Sequence, residues 1–127
     1  GLIGVCSKES LLADKKIELE EIFNHRIIVR ENGSGTKAVF EQMLQNYNYS
    51  IESFTDISEV SSFSVIKEMV KSNVGISFVY KSVVETELNN GELKQLKING
   101  VDFSHEFNYV FLKNNLFMDK YENFLNI

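Results

Sequence analysis

Proline is absent from the 127 residues, and cysteine occurs once, as Cys6. A lone cysteine excludes an internal disulfide framework. No run reaches the ~18 apolar residues of a spanning helix, and no signal-peptide pattern is present. Histidine occurs only at His25 and His105, and no Cys/His spacing matches a zinc site, so no metal is called. Cations are few and scattered: 13 Lys and Arg against 18 Asp and Glu, for a net charge of -5. Phosphate neutralisation needs clustered Lys and Arg, so the chain by itself is not expected to grip DNA or an anionic membrane. These absences fit a cytoplasmic protein with no membrane association. There is also no low-complexity segment and no repeat.

What is there suits one domain with a real core: 43% apolar and 24% charged residues over 127 positions. The chain opens at Gly1 inside the apolar run "GLIGV" without a Met, which reads as a piece of something longer or as a cloning scar. Residues 2–6 read as a strand, followed by a loop and a short helical turn ending at 19–23. "RIIVR" (26–30) is a continuous apolar run, as in a buried parallel strand. Val39, Phe40, Met43, Leu44 and Tyr47 fall at helical spacing over 36–48. "SIESFTDI" (50–57) reads as a strand. Phe63, Ile66, Met69 and Val70 form a second helical face, and 74–80 a further buried strand. Ser82 and Glu85 form a capping box for a helix stopped by "NNG", where Gly91 can take the left-handed cap. Residues 92–98 alternate, 105–114 is the longest strand candidate, and 117–127 is a closing helix. Strands alternating with helices predict an α/β fold with a mixed, mainly parallel sheet. The last strand, with no helix before it, is expected to run antiparallel or to cross out of the domain.

The loop in "RENGSGTKAVF" (30–40) is the chemically richest stretch. A P-loop needs Gly-Lys-Ser/Thr at its end, and Gly35-Thr36-Lys37 has the wrong order. Gly33, Gly35 and Ala38 satisfy G-x-G-x-x-A, with Glu52 or Asp56 downstream. However, three residues separate the strand from the first glycine, whereas the dinucleotide motif turns at the strand end. Glycines free backbone N–H groups to face outward, and the helix opening at Thr36 adds unpaired N–H groups and the positive end of its dipole. Ser34 and Thr36 add hydroxyls. Such a concavity suits a small anion or carboxylate. Equally, Ser34 or Thr36 could simply cap the helix. Nucleophilic catalysis finds no support. Ser34 lies in G-S-G rather than G-x-S-x-G, neither histidine has an obvious partner, and Cys6 in a strand reads as buried. No catalytic residue and no cofactor is called.

The ordered set of motifs resembles the C-terminal part of the effector-binding domain of LysR-type transcriptional regulators. "LIGVCSKESLLADKKIELEEIF" followed by "RIIVRENGSGTKAVFEQML" is similar to the family's strand, short helical segment, apolar strand, E-x-G-S-G-T-R loop and helix, with Lys37 where Arg is common. "SSFSVIKEMVKSNVGISFVY" is similar to its helix, G-x-G turn and strand, with Asn73 in place of the first glycine. Asn tolerates the left-handed backbone best after Gly, so the turn can survive. "VVETELNNGELKQLKI" and "HEFNYVFLKNNLFMDKYENFL" complete the series.

The resemblance implies a three-layer lobe of the type 2 periplasmic-binding-protein-like kind. Residues 1–113 would form the second lobe, and 114–127 would carry a helix that in the family belongs to the first lobe. That helix is expected to be mobile, to pack unusually or to dock on a second copy. A small effector would bind between the lobes at Asn32, Gly33, Ser34, Gly35, Thr36, Ser61 and Ser62, and DNA only through an N-terminal helix-turn-helix outside this stretch. Exposed members of Phe40, Leu44 and Tyr47 would serve a head-to-tail homodimer or higher oligomer, and buried ones would be core. No enzymatic activity is implied. The alternatives are a fragment of a cytoplasmic nucleotide-dependent enzyme and a lobe of a solute-binding protein.

Overall fold

A computed structural model describes residues 1–31 and 35–101. In chain order the elements are β1 (Leu2–Ser7), β2 (Lys16–Ile17), a 3₁₀ helix (Leu19–Asn24), β3 (Ile27–Arg30), α1 (Thr36–Gln45), a 3₁₀ turn (Ile51–Ser53), β4 (Ile57–Val60), α2 (Phe63–Lys71), β5 (Ser77–Tyr80), α3 (Lys81–Asn89), β6 (Leu93–Gln95) and β7 (Lys97–Ile98). β1 runs antiparallel to β5 on one side and to β6 on the other. β3 and β4 pair in parallel, in register from Ile27 with Ile57 to Arg30 with Val60. A parallel bridge between Ile27 and Ile76 joins the two sets. There Ile28 N–H donates to the Ile76 carbonyl at 2.8 Å, and Ile76 N–H to the Arg26 carbonyl at 2.9 Å. The combined order is β4-β3-β5-β1-β6, with only β1 running against the rest. β2 and β7 form a small parallel pair of their own.

The pleat sends alternate residues to opposite faces, and each face finds a helical layer. Leu2, Cys6, Ile27, Val29, Ile76 and Phe78 pack on Phe40, Met43 and Leu44 of α1 and on Ile22 and Phe23. Ile3, Val5, Ile28 and Val79 pack on Ile66 and Val70 of α2 and Val84 of α3. This is the mixed, mainly parallel three-layer α/β arrangement expected. Phe40 stacks on Phe78 with ring centroids 4.6 Å apart, which docks α1 on the sheet. Phe40 and Leu44 are therefore core, and Tyr47 is partly buried against it.

The seam where β3 meets β5 is tight. A Cβ on Gly75 would lie 2.6 Å from the Arg26 carbonyl oxygen, so only glycine fits there. Asn73 reaches φ 61°, the left-handed turn expected of it. Buried Ser77 donates its hydroxyl to the Ile28 carbonyl at 2.6 Å across the seam.

Three local expectations are corrected. Residues 50–57 are not one strand: a 3₁₀ turn occupies Ile51–Ser53, and β4 begins only at Ile57. Ser50 caps the turn, accepting from Glu52 N–H at 3.2 Å, and Phe54 packs edge-on to Phe23 at 4.8 Å. Ser82 does not open α3. Tyr80 is the N-cap, because Lys81 N–H is already satisfied by the Gly1 carbonyl at 3.2 Å. Residues 92–98 split into β6 and β7, since Leu96 N–H turns to the Gly4 carbonyl at 2.8 Å. Gly91 takes its left-handed cap as expected, with φ 81°. The strand at 105–114, the helix at 117–127 and the boundary at 113 lie outside the described residues.

Two outcomes follow from the seam. Gly75→Ala should lower stability by about 1–3 kcal/mol, because the clash is with backbone, and Ser77→Ala by about 1 kcal/mol. Urea unfolding followed by circular dichroism measures both, and a neutral Gly75→Ala would contradict the packing. Burial pushes the Cys6 thiol up to about 11. It should resist a thiol reagent at pH 8 in the native chain and react promptly in urea. Its contribution to stability is fully present below the ordinary value of 9.0 and is lost as pH rises toward 11.

Candidate functional site

The parallel strands β3, β4 and β5 end at one edge of the sheet, at Arg30, Val60 and Tyr80. Each leads into a helix, so the N-termini of α1, α2 and α3 open along the same edge. In open α/β sheets this carboxyl edge is where ligands sit. The register extends past the strands, with Glu31 N–H donating to the Val60 carbonyl at 2.9 Å. Glu31, the first residue after β3, is thereby held beside the end of β4.

Of the predicted residues, Gly35, Thr36, Ser61 and Ser62 lie along this edge. Asn32, Gly33 and Ser34 lie outside the described residues. Gly35 is the N-cap of α1 at φ 81°, a left-handed backbone that an L side chain rarely adopts. Its carbonyl accepts from Val39 N–H at 3.1 Å. Thr36 is the first helical residue and is buried, so it is not the cap that the alternative reading allowed. Gly35 has no side chain with which to cap α1. Ser62 caps α2, its hydroxyl accepting from Val65 N–H at 3.2 Å. Ser61 is exposed, and its carbonyl accepts from Arg30 Nε at 3.4 Å.

The charges at this edge are arranged unusually. None of α1, α2 and α3 carries an acid in its first turn, although Asp and Glu favour that position by interaction with the helix dipole. The two 3₁₀ elements do carry them, at Glu20, Glu21 and Glu52. Lys37, in the first turn of α1, is held by Glu59 of β4 at 2.6 Å. The hydrogen bond to Glu59, foremost, keeps the Lys37 ammonium above its ordinary value. Arg30 was not among the predicted site residues. Its guanidinium lies 4.5 Å above the Phe63 ring at the start of α2. The acid-free first turns were readable in the sequence, but only the topology shows that they share an edge. β3 runs to Arg30, so two residues rather than three stand between the strand and Gly33.

His25 lies outside this edge, before β3, and burial, foremost, lowers its imidazole pKa against the opposing effect of Glu21. His105 is outside the described residues. Among the described residues no helix is long and apolar enough to cross a membrane.

Comparison with known proteins bears on this arrangement. The profile described as "LysR substrate binding domain" matches residues 2–127. The phosphonates import ATP-binding protein PhnC of Anaeromyxobacter dehalogenans is 31% identical over 90 residues, covering 71% of this chain but 18% of that protein. The HTH-type transcriptional activator CmpR of Synechocystis is 29% identical over 113 residues, 88% of this chain and 36% of that one. The chain thus spans about a third or less of the length of these relatives. Among solved structures, the CcmR regulatory domain of Synechocystis in complex with 2-PG superposes with a TM-score of 0.63 at 24% identity, over 77% of this chain and 46% of that one. The effector binding domain of QuiR in complex with shikimate gives 0.59 at 20% identity, over 80% and 46%. With a profile match over nearly its whole length, the chain belongs to the LysR substrate binding domain family.

Proposed function

We propose that this chain is the effector-sensing lobe of a LysR-type transcriptional regulator. It has no enzymatic role. It binds a small anionic effector at the carboxyl edge of its sheet. The observation that carries the reading is the convergence of three helix N-termini, none with a first-turn acid, on one edge of a chain whose net charge is -5. Backbone N–H groups and dipoles at such ends favour negative charge. Residues 1–113 form one wall of an interlobe cleft, and 114–127 belong to the facing lobe. Shikimate in QuiR is a carboxylate, which accords with this polarity. Contacts come from Asn32, Gly33, Ser34, Gly35 and Thr36 on one side and Ser61 and Ser62 on the other.

In the full-length protein, bound effector changes the angle between lobes and so moves DNA-binding heads borne on an N-terminal helix-turn-helix. The protein works in the cytoplasm as a homodimer or higher homo-oligomer. With Phe40 and Leu44 committed to the core, any dimer surface on α1 must use its polar outer face and Tyr47.

Titration with shikimate, 2-PG and inorganic phosphate, followed by amide chemical shifts, tests the site. The Gly35, Thr36, Ser61 and Ser62 amides should move first, and shifts confined to the opposite edge of the sheet would remove the assignment. Ser62→Ala should cost about 1 kcal/mol of stability through the lost cap and also weaken binding, whereas Ser61→Ala should leave the melting temperature unchanged.

A further inference from the structure

We infer that Arg30 determines the specificity of this site for an anionic effector group; the inference rests on the functional reading above. Arg30 is the last residue of β3, paired in register with Val60, the last of β4. Along β3, Ile28 faces the α2 layer, and Arg30, two residues on, faces the same way. There its guanidinium carbon sits 4.5 Å over the Phe63 ring, and its Nε donates to the Ser61 carbonyl at 3.4 Å. These contacts fix the plane of the guanidinium against the loop that carries Ser61 and Ser62.

No carboxylate of a described residue pairs with Arg30, and no described residue accepts from its two terminal nitrogens. Lys37 at the same edge differs, since Glu59 holds it at 2.6 Å. Arg26 at the start of β3 differs too, being paired with Asp56 at 2.8 Å. Lys67 and Lys71 are likewise paired with acids. Arg30 therefore offers the edge a permanent charge that no described acid neutralises. A guanidinium stacked on an aromatic ring and held through Nε keeps its outer N–H fork available, the geometry that binds a carboxylate or phosphate through two parallel hydrogen bonds. The effector's anionic group meets this fork, and Phe63 acts as the positioning residue that aims it.

The test titrates the 127-residue chain and its Arg30→Gln variant with shikimate and with the neutral methyl ester of shikimate, reading amide shifts and their salt dependence. Arg30 is only half-buried, and an unchanged amide spectrum away from residues 30 and 61–63 confirms that the variant folds. The expected result is at least about tenfold weaker shikimate binding, equivalent to ~1.4 kcal/mol. Methyl ester binding should not change, and the salt dependence should be shallower than in the parent. Phe63→Leu, which keeps apolar bulk but removes the ring, should weaken shikimate binding by a smaller factor. Equal loss for acid and ester would make Arg30 a packing residue and overturn the inference. So would unchanged shikimate binding in Arg30→Gln. If shikimate moves none of the Gly35, Thr36, Ser61 and Ser62 amides in the parent chain, the site reading itself fails, and this inference falls with it.

Discussion

The seam between β3 and β5 is the contact on which the arrangement depends. β3–β4 and β5–β1–β6 are separate ladders until Ile27 and Ile76 bridge them. Their backbones approach so closely at Gly75 that any Cβ would strike the Arg26 carbonyl. Ser77 adds a buried hydroxyl bond across the same gap. Since the bridge is parallel, it brings β3, β4 and β5 to their carboxyl ends at one edge. The helices that follow must start there. The convergence of N-termini is thus a consequence of strand direction at one narrow contact, and the side chains at the edge act within that frame.

Within it, electrostatics separates committed from uncommitted charge. Several cations away from the edge are paired with acids: Arg26 with Asp56, Lys94 with Asp14 and Lys67 with Glu87. The last of these links α2 to α3. At Glu87 opposing influences meet. Burial, the largest effect, works to raise its carboxyl pKa, but backbone and Lys67 hydrogen bonds and the charges of Lys67 and Lys71 act against it, and the value is lowered. At the carboxyl edge the three helix starts are free of acids and Lys37 is held by Glu59, while Arg30 stacks on Phe63 with no acid among the described residues paired to it.

The two faces of the sheet have different characters. The α1 face is aromatic, with Phe23, Phe40, Phe54 and Phe78 in a connected set of ring contacts. The α2–α3 face is aliphatic, with Ile3, Val5, Ile28, Ile66, Val70, Val79 and Val84. Ring stacking fixes α1 through directional contacts, so the loop leading into it ends on a well-held helix. α2 is held by aliphatic packing, the Ser62 cap and the Lys67–Glu87 ion pair to α3.

The sequence by itself determined the three-layer α/β lobe, most of its strands and helices, and the left-handed positions at Asn73 and Gly91. These are written in local patterns: apolar runs, helical spacing and turn residues, each acting over a few positions. The ordered motifs also carried the family. It misjudged residues 50–57, where a 3₁₀ turn capped by Ser50 interrupts the expected strand, and Ser82, whose capping role was pre-empted by the Gly1 carbonyl from the far end of the chain. Gly35, Thr36, Ser61 and Ser62 were legible as site candidates, but the division of labour among them was not. Only the tertiary structure decided that Gly35 rather than Thr36 occupies the N-cap position of α1, that Ser62 is committed to capping α2, and that Arg30 stacks on Phe63. Those outcomes depend on which strands end side by side. That follows from pairing between residues 49 positions apart, as in Ile27 with Ile76, and no local pattern encodes it.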